Sequence, residues 1–159
     1  MPKIIGIDPG LASTGWGVVE NNAGRILYVS HGSIETKAKD PIGKRLLFIM
    51  ESFRRVLDEY KPEESAVEIL FFGKNVSSAL PVAQARGVIF AVLAEKEILI
   101  RELRPNMIKK AVTGLYNSEK KQVQEMVRII LGLAEIPKPD HAADALGAAI
   151  CAANHKEFL

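Results

Sequence analysis

Four residues stand out from their surroundings by chemistry. Asp8 ends the apolar run Ile4-Ile5-Gly6-Ile7, and Pro9-Gly10 follow at once. Such a run reads as a buried strand, and a carboxylate at its end must be paired, hydrogen-bonded or bound to a cation. Glu68 sits inside a second apolar run, Ala66-Val67-Glu68-Ile69-Leu70. Asp144 lies three residues after His141 and four after Asp140 in D-H-A-A-D-A-L-G-A-A-I, spacings that share a helix face. Singly, each has an ordinary explanation: a structural ion pair for Glu68, a helix cap for Asp140, solvation for His141 and Asp144. Brought together on one sheet and one helix, they would build an oxygen-rich pocket suited to Mg2+ or Mn2+. Two such ions roughly 3.5–4 Å apart can activate a water and stabilise the leaving oxygen of a phosphodiester. The turn after Asp8 also fits the phosphate loop of an ATPase, so the rest of the chain has to decide.

The elements that must position these residues follow from periodicity and turn chemistry. Strands are expected over Lys3–Asp8, Thr14–Glu20 and Arg25–Ser33, with Asn21-Asn22-Ala23-Gly24 as a hairpin turn. Ile42, Leu46, Ile49, Phe53, Val56 and Tyr60 mark the stripe of a helix over Pro41–Tyr60, with Asp40 as its N-cap. A fourth strand is expected over Ser65–Leu70, a helix over Ser77–Lys96, and a fifth strand over Ile98–Leu103. Pro105–Thr113 reads as a short helix closed by Gly114; Ser118 and Asp140 are expected to cap the last two helices. Three antiparallel strands followed by helix-linked strands predict an α/β fold, a five-stranded mixed sheet with helices on both faces. If the fourth strand lies beside the first, Glu68 faces Asp8 across the sheet.

Composition narrows the classes. At 159 residues, 48% hydrophobic and 25% charged, the chain is expected to be one globular domain over residues 1–159. No apolar stretch is expected to span a bilayer and no signal peptide is expected before the first strand, which predicts a cytoplasmic protein without membrane contact. The single Cys151 cannot form an internal disulfide and reads as a small apolar residue. Net charge is only +2, but residues 73–128 hold ten Lys or Arg against five Glu. A basic middle between acidic flanks suits a grip on a polyanion beside metal-binding acids. The helix V-A-Q-A-R-G-V-I-F-A-V-L-A is apolar or small nearly all round, which predicts a two-fold homodimer interface on its outer face.

The blocks I-I-G-I-D-P-G with T-G-W-G, V-E with F-F-G-K-N, Q-A-R-G-V, E-K-K-Q-V-Q-E-M-V and H-A-A-D-A-L occur in one order along nearly the whole chain. In this they resemble RuvC, the family of bacterial Holliday junction resolvases. The resemblance implies an RNase H-like fold and a Mg2+-dependent homodimeric endonuclease. Such enzymes resolve four-way DNA junctions by paired nicks in recombination and repair. It also implies cooperation with the RuvA–RuvB branch-migration complex. By motif, Asp8, Glu68, His141 and Asp144 match the catalytic and metal-binding quartet, with Asp8 expected to bridge two ions. The closing motif commonly reads D-A-A-D; here His141 takes the first position, where it can ligate a metal or accept a proton from the attacking water. Phe71, or else its neighbour Phe72, matches a wedge that stacks on unpaired bases. Lys109 and Lys120 match basic positions near the scissile phosphate, and Lys74, Arg86, Lys110 and Lys121 are expected to position the DNA backbone. Other RNase H-like nucleases, a junction-binding module without catalysis and a fragment of an actin-like ATPase are the alternatives. The last needs a second domain around the nucleotide and leaves Glu68 and H-A-A-D without a role.

Overall fold

The computed structural model describes residues 1–71, 73 and 75–155. Its strands are β1 (Lys3–Asp8), β2 (Ser13–Asn22), β3 (Arg25–Glu35), β4 (Glu64–Glu68) and β5 (Leu99–Leu103). Its helices are α1 (Ile42–Tyr60), α2 (Val76–Glu95), α3 (Pro105–Thr113), α4 (Lys120–Leu131) and α5 (Asp140–Asn154). They form one mixed sheet of order β3-β2-β1-β4-β5, with β1–β2 and β2–β3 antiparallel and β1–β4 and β4–β5 parallel. The expected element order holds throughout. The hairpin turn is carried by Ala23 at φ 51° and Gly24 at φ 92°, and the Asn21 carboxamide oxygen accepts from the Gly24 N–H.

The sheet has a core on each face. Ile5, Ile7, Trp16, Val18 and Val67 pack against Ile49, Phe53 and Leu57 of α1 and Ala85, Ile89 and Leu93 of α2. On the other face, Ile4, Val19, Ala66 and Leu103 meet α3, α4 and α5. The α5 helix is buried almost all round, from Ala142 to Ala153, so its Ala-rich sequence lets it lie flat on the sheet with α3 and α4 around it. Cys151 is part of this core, and burial pushes its thiol up to about 11.

Several expectations need correction. None of Asp40, Ser118 and Asp140 is an N-cap. Pro41 occupies the cap of α1 without a side-chain bond, and Asp40 instead lies 3.6 Å from Lys44. Glu119 caps α4 in a reciprocal box with Gln122, and Ser118 turns back to the Leu115 carbonyl. Pro139 precedes α5, so Asp140 is already in its first turn. In each case an Asp or Ser beside a helix start looked like a cap, but a neighbour one residue away has the extended backbone the cap requires. The α2 helix, twenty residues long, is apolar enough by length and composition to cross a membrane, contrary to expectation. Its Ala85, Ile89, Val92 and Leu93 are nevertheless built into the sheet's core, and Arg86 forms an ion pair halfway along it.

Candidate active site

Strand pleat aims Asp8 and Glu68 at α5. Successive strand residues face opposite sides of a sheet. Ile7 and Val67 face α1 and α2, whereas Gly6 and Ala66 face α5, so Asp8 and Glu68, one residue on, face α5 again. Ile7 also pairs with Val67 in the parallel β1–β4 register. The fourth strand does lie beside the first, so the two carboxylates leave adjacent strand ends side by side.

Bare backbone brings α5 down onto them. A Cβ on Gly6 would stand 1.7 Å from the Ala145 carbonyl oxygen, and one on Gly15 2.2 Å from the His141 backbone. No side chain but hydrogen fits at either position, and the helix rests directly on β1 and β2. This contact sets His141 and Asp144, in the first turns of α5, over Asp8. His141 Nδ1 and Asp8 Oδ2 are hydrogen-bonded at 2.8 Å. One ligand atom each of Asp8, His141 and Asp144 can be chosen so that all lie within 4.8 Å of one another. Glu68 stands outside that trio but shares a cleft of about 270 Å³ with Asp144, Lys109 and Lys120. Lys120 Nζ lies 3.6 Å from Asp144 and 3.7 Å from Asp140.

The charges are crowded. Desolvation in the cleft, then the Asp8 and Asp144 charges, raise the Glu68 carboxyl above its ordinary range, and Lys109 offsets part of this. Desolvation and Asp8 likewise raise Asp144, opposed by Lys120 and His141. Three carboxylates and one imidazole, with the Glu68 and Asp144 carboxyls pushed toward the neutral form, make a crowded set that a hard divalent cation would relieve. The donor set thus fits Mg2+ or Mn2+ by ligand type.

The other candidate residues separate into groups. Phe71 is 64% exposed, three residues beyond Glu68. Phe72 and Lys74 lie outside the described residues. Lys109 and Lys120 line the cleft itself. Lys110 bends back to the Gly114 carbonyl at 2.9 Å and over the Tyr116 ring. Lys121 lies on the side of α4 beside Glu119, Gln122 and Glu125. Arg86 points inward, toward the Glu68 carbonyl and Glu102, with its side chain 13% exposed. Inspection of residue types missed the Gly6 and Gly15 seats, Asp140 as a partner of Lys120, and the inward turn of Arg86. The glycines were visible in I-G-I-D and T-G-W-G, but nothing local says which helix they meet.

Comparison with known proteins gives a consistent result. The family described as "Crossover junction endodeoxyribonuclease RuvC" matches residues 4–152. The protein of that name from Treponema denticola is 49% identical over 153 residues, covering 96% of this chain and 86% of the relative. Among solved structures, Thermus thermophilus RuvC superposes with a TM-score of 0.87 at 33% identity, covering 96% of this chain and 93% of that one. T. thermophilus RuvC in complex with a Holliday junction substrate gives a TM-score of 0.90 with the same identity and coverage.

Proposed function

This chain belongs to the RuvC family of crossover junction endodeoxyribonucleases, and on that premise we propose how its residues cut DNA. It has the family's RNase H-like fold and is a nuclease that resolves Holliday junctions in recombination and repair. Family membership carries divalent-metal dependence; we assign Mg2+, with Mn2+ as substitute, and two ions per site. Asp8, Glu68, His141 and Asp144 are the ligands. When bound, the ions activate a water for in-line attack and neutralise the departing 3′ oxygen.

The protein's own contributions are positional and electrostatic. Asp8, hydrogen-bonded to His141 and beside Glu68, would hold the metal from the centre of the ligand set. His141, its Nδ1 facing Asp8, offers a ring nitrogen that would ligate the metal or take the proton from the attacking water. Lys109 and Lys120 offset phosphate charge at the cleft mouth. Lys110 and Lys121, which lie outside the cleft lining, and Lys74 position the DNA backbone. Phe71 stacks on an unpaired base at the crossover, worth roughly 1–3 kcal/mol per base; Phe72 is the other candidate. Residues 1–159 act as one nuclease domain. Two copies, joined through α2, make the paired nicks, working in the cytoplasm with the RuvA–RuvB machinery.

The observation that carries this reading is the convergence of Asp8, His141 and Asp144 beside Glu68. Asp8→Asn tests it. Cleavage of a synthetic four-way junction in Mg2+ should fall by at least about 100-fold. Junction affinity in EDTA should persist. Full cutting by the variant would refute the assignment.

A further inference from the structure

Glu68 is the last residue of β4, beyond which the chain leaves the sheet. The peptide after it is nonetheless held at both ends. The Ile69 N–H donates to the Leu103 carbonyl at 2.8 Å. The Glu68 carbonyl accepts from Arg86 Nη1 at 2.6 Å. Arg86 Nη2 pairs with the Glu102 carboxylate on β5, and the guanidinium lies 4.5 Å from the centre of the Phe90 ring, one turn along α2. The Arg86 side chain is only 13% exposed. A planar fork fixed by an anion and a ring face is thus spent on one backbone carbonyl.

We infer that Arg86 is a positioning residue for Glu68, which fixes the last peptide of β4 so that the carboxyl stands beside Asp8 and Asp144. The role differs from the phosphate contact expected from sequence, and it rests on Glu68 being a metal ligand as proposed above. Pinning both ends of one peptide sets the direction of the Glu68 Cα–Cβ bond. Without Arg86 the peptide keeps only its Ile69 N–H bond to Leu103, and its carbonyl end loses its anchor. Lysine is a poor substitute, because a single nitrogen on a flexible stem would have to reach both acceptors that the rigid fork meets with two nitrogens.

The test uses the full chain carrying Arg86→Lys, Arg86→Ala or Glu102→Gln. Mn2+ affinity is measured without DNA by water-proton relaxation, and junction affinity in EDTA by gel shift. Supporting groups of this kind typically change metal affinity by about 10–100-fold, and Arg86→Lys should fall in that range, with Glu102→Gln smaller in the same direction. Junction affinity should stay within about twofold of wild type, because no phosphate contact is lost. If Arg86→Ala does not fold, Arg86→Lys and Glu102→Gln carry the comparison. Wild-type Mn2+ affinity in Arg86→Lys overturns the role, as does weakened junction binding in Arg86→Ala that lysine restores. Wild-type protein that binds no Mn2+, or leaves junctions uncut, would instead remove the metal-nuclease reading itself.

Discussion

Glu68 and Asp144 are held where their charge is unwelcome. Both carboxyls are raised by desolvation and by the other acids of the site. In the unfolded chain they return to the ordinary carboxylate range. Folding therefore favours their protonated forms: this contribution to stability is fully present below the unfolded pKa and is lost as pH rises through the raised folded value. At neutral pH the metal-free protein bears the penalty, which a bound cation would remove. Glu68→Gln should consequently raise the thermal midpoint in EDTA at pH 7.5. The gain should shrink as pH falls through the carboxylate range, while junction cleavage is lost. Calorimetry across pH checks this; a midpoint lowered at pH 7.5 would contradict the crowding. For the wild type, Mg2+ at about 100 times its Kd should add about 2.7 kcal/mol. At this scale the sequence was informative because acids interrupted apolar patterns. Arg86 escaped, since its partners are a backbone carbonyl and a carboxylate sixteen residues away. Asp140 is not legible in this way, because Asp beside a helix start usually caps, whereas here it faces Lys120.

The site exists only because one helix lies unusually close to two strands. Gly6 and Gly15 supply the seat, and the Ala-rich sequence of α5 supplies the matching surface. Gly6→Ala would place a methyl 1.7 Å from the Ala145 carbonyl oxygen. Backbone on both sides leaves nothing flexible to yield, so α5 must lift. Overpacking typically costs about 1–3 kcal/mol, and this contact belongs at or above the upper end. The thermal midpoint should drop by roughly 6–12 °C, at about 2–4 °C per kcal/mol for a chain of this size. Mn2+ affinity should fall as well, because His141 and Asp144 move with the helix. Gly43→Ala on α1 is the control: a Cβ there meets nothing within 4 Å, so the exchange should be neutral or stabilising by up to about 1 kcal/mol. Equal effects at the two glycines would sink the argument. Element types and order were legible from periodicity because each stripe or run is local. The depth at which α5 meets β1 was not, since it depends on residues some 140 positions apart, Gly6 and Ala145.

At the scale of the molecule, α2 carries a face that the fold leaves bare. Ala79, Ala85, Ile89, Val92 and Leu93 are buried toward α1 and the sheet. Val76 and Leu80 are 52% and 54% exposed, and the same stripe continues through Gln84, Gly87, Ala91 and Ala94. The spacing is that of one helix face, apolar at its start and lined with small residues along its length. Small residues let a second helix approach closely, and a two-fold pairing of this face would put two nuclease sites in one particle. Such an arrangement would suit paired nicking of a two-fold junction, and Arg86, on the same helix, would tie the interface to Glu68. Ala91→Arg tests the interface without touching the core. Its own fold should hold within about 0.5 kcal/mol, as for other surface exchanges. A charge driven unpaired into the dimer costs roughly 3–5 kcal/mol, so the dimer dissociation constant should rise more than about 100-fold. Analytical ultracentrifugation should show wild-type dimer and variant monomer at the same micromolar concentration. On a cruciform plasmid the variant should accumulate singly nicked circles where the wild type gives linear product. A wild-type chain that stays monomeric at high concentration, or a variant that sediments and cuts as the wild type does, would refute dimerisation through α2.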